Sequence, residues 1–135
     1  MSLRSVLSAL VFIAAASSSE EARAESARAE CFARHEPARA LPYRVDKWVG
    51  QATYSTLAGA RVFFWAEPGL TGEWLHRQLA QRIAERRNNG ECPLDVPGVR
   101  IHVQSAGPGF WLDIGADEGG PAAEVLRRAR ALISQ

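Results

Sequence analysis

The chain has little cysteine and lacks several motifs by which common activities are recognised. Its 135 residues include two cysteines and no Cys-x-x-Cys motif, which argues against a dithiol redox enzyme. It also lacks the Gly-x-x-x-x-Gly-Lys phosphate loop and the Gly-x-Ser-x-Gly elbow of serine hydrolases. The formal net charge is +1, so there is no electrostatic case for binding nucleic acid.

Long hydrophobic runs are absent too. The longest, residues 6–16, is interrupted only by Ser8 and is too short for a bilayer, which needs about 20 apolar residues. The run follows Arg4 and precedes small residues, which is the layout of a secretory signal peptide. We predict a signal peptide over residues 1–24, with a cut near Ser18 as the alternative. The mature chain is then exported to the periplasm or beyond the cell, without stable membrane insertion.

Export places Cys31 and Cys92 in an oxidising compartment, where a disulfide between them is expected. Two cysteines allow a single connectivity. We therefore predict an extension over residues 25–48 that the disulfide tethers to an α+β domain over residues 49–135. The spacing Cys31-x-x-x-His35 has no second pair of ligands, so no metal or cofactor is predicted.

The first half of this domain is predicted to hold two strands and a helix. Residues 60–66 are β-branched and aromatic and are followed by a Pro-Gly turn, which predicts a strand. A further strand over 49–56, ending at Leu57-Ala58-Gly59, is expected to pair beside it. Thr71 then caps a helix over 72–87, in which apolar residues recur at four-residue spacing.

The second half of the domain is predicted to be a β-hairpin and a last helix. Residues 99–103 and 110–114 alternate between apolar and polar side chains on either side of Gly107-Pro108-Gly109. Pro121 then opens a helix with one apolar stripe. The order β-β-α-β-β-α predicts an α+β two-layer sandwich, an antiparallel sheet with both helices on one face. It resembles the ferredoxin-like order with its last strand replaced by an earlier one.

One face of this predicted sheet has an unusual composition. The apolar strand positions expected to face the helices are Val62, Phe64, Val99, Ile101, Val103, Phe110, Leu112 and Ile114. A solvated sheet face normally carries small polar and charged side chains, whereas the opposite positions here include three large aromatic rings. These opposite positions, which we call the aromatic face, are Arg61, Phe63, Trp65, Arg100, His102, Gln104, Trp111 and Asp113.

Two interpretations of the aromatic face remain open at this point. In the first, the segment from Cys31 to Trp48 folds over the face and buries its rings, with Tyr43 and Trp48 contributing. In the second, the face stays open and binds a partner, because exposed apolar patches mark interaction sites. The predicted contacts are Phe63, Trp65, His102 and Trp111, with Arg61 and Arg100 at the rim.

Two other functional interpretations are weaker. His102 and Asp113 could lie opposite each other on the hairpin and act as an acid–base pair in a small hydrolase or lyase. Arginines at the ends of the two helices could attract an anionic surface, although solvated side chains paired with nearby acids are more usual there. These arginines are Arg82, Arg86, Arg87, Arg127, Arg128 and Arg130. We favour a binding module, with another exported protein as its partner and with no assigned catalytic residue or oligomeric state.

Overall fold

Two β-hairpins, each followed by a helix, build the molecule. The computed structural model describes residues 19–23, 26 and 30–133, so the predicted signal peptide lies outside the described residues except for 19–23. In the described part no helix is long and apolar enough to cross a membrane. The elements in chain order are β1 (Arg39–Val49), β2 (Ala52–Trp65), α1 (Gly72–Ala84), a 3₁₀ turn (Pro93–Asp95), β3 (Arg100–Ala106), β4 (Gly109–Gly115) and α2 (Gly120–Ile133).

The sheet is antiparallel throughout, in the spatial order β1-β2-β4-β3. The predicted α+β sandwich is therefore confirmed, and the early strand β1 takes the edge position beside β2. The core lies between the sheet and the helices, as the pattern predicted. It includes Val62, Phe64, Phe110, Leu112 and Ile114 from the strands and Leu75, Leu79, Val125 and Ala129 from the helices.

The first hairpin differs from its prediction. Residues 49–56 do not form a separate strand that turns at Leu57-Ala58-Gly59, because β2 runs without a break from Ala52 to Trp65 and β1 pairs with it. The turn lies instead between Val49 and Ala52, where Gly50 adopts a positive φ of 62°. Gly59 has a different role. A Cβ there would lie 1.9 Å from the carbonyl oxygen of Ile114, so glycine permits close approach of β2 to β4.

Residues 31–35 pack on the helical side of the sheet, and the segment from Cys31 to Trp48 does not cover the aromatic face. Cys31 and Phe32 are fully buried, and the Phe32 ring meets the edge of Phe64 at 5.3 Å. Residues 39–49 then pair edgewise as β1, which spans the predicted division at residues 48 and 49. Trp48 remains 76% exposed. The covering interpretation was wrong because β1 satisfies its backbone hydrogen bonds beside β2, which keeps it in the plane of the sheet.

The predicted disulfide is present between Cys31 and Cys92, which are 61 residues apart in sequence. Both sulfurs are buried in the core, next to the 3₁₀ turn. Arg128 of α2 donates a hydrogen bond to the carbonyl oxygen of Cys92 at 3.2 Å. The disulfide therefore joins the N-terminal segment to the helical layer.

The arginines at the helix ends divide into two groups. Arg127 and Arg128 pair with Glu124, and their hydrogen bonds lower the pKa of Glu124 to about 2. Arg82, expected to be solvated, is instead only 5% exposed. It falls three residues after Leu79, on the buried stripe of α1.

The helix α1 ends earlier than predicted, at Ala84, because Arg86 adopts the left-handed conformation at φ 51°.

We expect the double variant Cys31→Ala/Cys92→Ala to lose about 4 kcal/mol of unfolding free energy, because closing a loop of this length restricts the unfolded chain. Urea denaturation followed by circular dichroism measures the loss. The reduced wild-type protein is the matched control, since it keeps both side chains and lacks the covalent link. An oxidised wild type that unfolds at the same urea concentration as its reduced form would contradict this role.

Candidate functional site

The strand registers place the whole aromatic face on the side of the sheet opposite the helices. In the β2–β4 pair, Arg61 lies opposite Asp113 and Phe63 opposite Trp111. In the β3–β4 pair, His102 lies opposite the same Asp113, and Gln104 is the partner of Trp111. Because residues two apart share a face, Trp65 and Arg100 lie on this side as well. The face divides into an aromatic end and a charged end.

Three rings pack together at the aromatic end. The centroids of Phe63 and Trp65 are 5.0 Å apart, with the rings nearly perpendicular, and Phe63 and Trp111 are also 5.0 Å apart. Phe63 is only 7% exposed, Trp111 is half-buried and Trp65 is 59% exposed. Phe63 is thus the buried support of the cluster, and Trp65 is its most exposed member.

A glycine lets Phe63 occupy its position. Gly109 pairs with Trp65 across β2 and β4. A Cβ at Gly109 would lie 2.1 Å from the carbonyl oxygen of Phe64 and 2.7 Å from the Phe63 ring. The Phe63 ring therefore lies directly over the backbone of Gly109, and a side chain at position 109 would displace the ring. This contact holds Phe63 in place beneath the exposed tryptophan.

A half-buried ion pair organises the charged end. Arg61 donates to both carboxylate oxygens of Asp113, from Nε at 2.6 Å and from Nη2 at 3.2 Å. The Arg61 guanidinium also lies 5.6 Å from the ring centre of Tyr43 on β1. The hydrogen bond to Asp113 raises the pKa of Arg61, so the guanidinium stays charged. Asp113 is 4% exposed, and Arg61 compensates its buried charge.

The same ion pair bears on the predicted His102–Asp113 acid–base pair. The register brings the two residues to opposite positions, as predicted. However, Asp113 accepts bidentate hydrogen bonds from Arg61. The structure shows no hydrogen bond between His102 and Asp113, so the orienting contact of a catalytic pair is not formed.

A shallow pocket of about 340 Å³ lies beyond the ion pair, between β1 and the loop that follows β4. Its rim carries charges of both signs. Lys47 pairs with Glu118, and Arg100 lies 3.7 Å from Asp117. His102 and Asp113 line the side nearest the sheet. The pocket therefore extends the charged end of the aromatic face.

Sequence reasoning missed the contribution of β1. Arg39 pairs with Phe63 and Leu41 with Arg61, so both lie on the aromatic face, beside Tyr43. Leu41 is 40% exposed and Arg39 is exposed. Arg39, Leu41 and Tyr43 occupy every second position, which is the spacing of one strand face. The proline between them, Pro42, is unusual in strands, so the segment was not predicted as one.

No protein-family model matches the chain, and no curated protein and no solved structure matches it. Among residues 19–23, 26 and 30–133, no three His, Cys, Asp or Glu side chains come together as metal ligands.

Replacing Gly109 with alanine is expected to cost about 2 kcal/mol of unfolding free energy, because the new methyl group overpacks against Phe63 and the Phe64 carbonyl. Gly90→Ala is the matched control, since a Cβ at Gly90 meets nothing within 4 Å. We expect the control to change stability by less than about 0.5 kcal/mol. Urea denaturation compares the two, and an equal effect of both variants would show that Phe63 is not held over Gly109.

Proposed function

We propose that this protein is an exported, disulfide-bonded module that binds another exported protein through its aromatic face. The observation that carries the proposal is the exposure of Trp65, which is 59% exposed while its ring packs against the buried Phe63. Tryptophan, tyrosine and arginine dominate the energetics of protein interfaces. A ring already held by its neighbours also loses little conformational entropy on binding.

The predicted contact residues have distinct roles in this proposal. Trp65 is the main contact, and the half-buried Trp111 extends it across β4. Phe63 supports both rings from beneath and touches the partner little, since it is 7% exposed. His102 and Arg100 are exposed and supply polar contacts at the charged end of the face.

The charges on the face favour an acidic partner. Asp113 is the one carboxylate among the described strand positions of the face, and its charge is compensated by Arg61. Arg39, which lies opposite Phe63, is exposed and has no ion-pair partner in the described part of the chain. Arg100 lies at the charged end of the face, where Asp117 is 3.7 Å away. The accessible charge next to the rings is therefore the positive charge of Arg39. A matching partner presents an apolar side chain next to an aspartate or glutamate.

Two observations support export. The apolar run over residues 6–16 follows Arg4 in the layout of a signal peptide. The disulfide between Cys31 and Cys92 is a bond that persists in oxidising compartments and is rare in the cytosol. The partner is then a protein of the periplasm or of the cell exterior.

Selection from a displayed random peptide library tests the binding proposal even though the partner is unidentified. We expect enriched peptides to combine an apolar side chain with a neighbouring acid. Trp65→Ser should weaken their binding by roughly tenfold or more, the loss typical of an interface anchor. Fluorescence polarisation with a labelled peptide measures the affinity, and circular dichroism verifies that the variant is folded.

Trp48→Ser and Trp74→Ser are the matched controls. Both replace a tryptophan that is at least half exposed, 76% and 50% respectively, away from the ring cluster. They should bind the selected peptides as the wild type does. Peptides that bind Trp65→Ser as tightly as the wild type, or a library that yields no binders, would overturn the proposal.

A further inference from the structure

The outer side of β1 is an open edge of the sheet. β1 is the terminal strand of the order β1-β2-β4-β3, and no other strand in the described residues pairs with its outer side. Open edges are templates for pairing with another chain, so proteins either protect them or use them. Of the six large hydrophobic side chains that are exposed among the described residues, three lie on this edge strand: Leu41, Trp48 and Val49.

The hairpin turn determines which residues of β1 direct their backbone outward. The turn has two residues, 50 and 51, so Val49 and Ala52 form the hydrogen-bonded pair that flanks it. The bulge at Tyr43/Arg44 adds its extra residue to β2, and the alternation along β1 is therefore unbroken. The residues of β1 near the turn that direct N–H or C=O groups away from β2 are Pro42, Arg44, Asp46 and Trp48.

Two of these outward-directed residues carry opposite charges. Arg44 and Asp46 are exposed, and neither has an ion-pair partner in the described part of the chain. They share one face of β1 because they are two residues apart. In an antiparallel pair of two β1 strands with Val45 at the centre, Arg44 lies opposite Asp46 of the second copy. The two-fold symmetry repeats this pair on the other side of Val45.

The neighbouring registers are unfavourable. Centring the pair on Arg44, Asp46 or Lys47 would set that residue opposite its own copy. Each of these registers therefore places two like charges directly across from each other, which is destabilising. The register centred on Val45 avoids this and aligns the outward-directed backbone groups of Arg44 with those of Asp46.

We propose that a second copy of this chain binds to β1, with the two β1 strands antiparallel and the two-fold axis at Val45. Arg44 and Asp46 exchange backbone hydrogen bonds across the interface, and their side chains form two symmetric ion pairs. The axis is perpendicular to the sheet, so the two sheets become one and both aromatic faces lie on the same side of it.

The same register pairs apolar side chains at both ends of the interface. Leu41 lies opposite Val49 of the second copy, and Trp48 lies opposite its Pro42. These contacts cover apolar side chains that the single chain leaves exposed. Well below the dissociation constant of the dimer the chain is a monomer, in which Trp48 keeps its 76% exposure.

Analytical ultracentrifugation of the full oxidised chain measures the association. We expect a concentration-dependent equilibrium between monomer and dimer. Arg44→Asp and Asp46→Arg should each weaken the dimer by roughly tenfold or more, because both ion pairs become repulsive. An equimolar mixture of the two variants should recover the wild-type affinity, since a strand with two acids then meets a strand with two arginines.

Arg86→Asp is the matched control for these charge reversals. It makes the same change in net charge at an exposed arginine that follows α1, and α1 packs against β3, at the opposite edge of the sheet. This variant should dimerise as the wild type does. A wild-type chain that stays monomeric at every concentration measured, or a mixture that does not recover the affinity, would overturn the proposal.

Val45→Cys tests the register. Residues that face each other in a non-hydrogen-bonded antiparallel pair have Cα atoms about 4.5 Å apart, within reach of a disulfide. Val49→Cys is the control, because Val49 is more exposed than the half-buried Val45 yet lies about 26 Å from its own copy in this register. On mild oxidation we expect a covalent dimer of Val45→Cys and none of Val49→Cys. Equal cross-linking of the two variants would contradict the register.

Discussion

The pairing of β2 with β4 is the constraint on which both sides of the sheet depend. Its register sets Val62 against Leu112 on the helical side, and Phe63 against Trp111 on the other. A shift by one residue would exchange the two sides and expose the core. The close approach of backbone at Gly59 and Gly109 fixes this register, since neither position tolerates a side chain. Core packing and the aromatic face are thus two consequences of one alignment.

The two sides of that sheet are held in different ways. The aromatic face is built by the strands alone, and its geometry depends on the strand register. On the other side, the disulfide between Cys31 and Cys92 ties the segment after Cys31 to the helical layer.

The sequence predicted the parts of the fold that have strong periodicity. Alternation identified the β3–β4 hairpin and the face to which Trp65 belongs, and the cysteine count identified the disulfide. It did not predict β1, because an edge strand can carry charges and Pro42, which are also typical of loops. Gly59 was interpreted as a turn although its real constraint, the Ile114 carbonyl, comes from a distant strand. The burial of Arg82 was predictable from its spacing after Leu79, but its charge favoured a solvated interpretation.

Hydroxyl-radical footprinting of the full chain measures most directly whether the aromatic face is open. Mass spectrometry compares the oxidation rates of individual aromatic side chains. We expect Trp65 to be oxidised at a rate close to that of the highly exposed Trp48, and Phe63 to be oxidised far more slowly. Protection of Trp65 to the level of Phe63 would mean that another part of the chain covers the rings and that the face is closed.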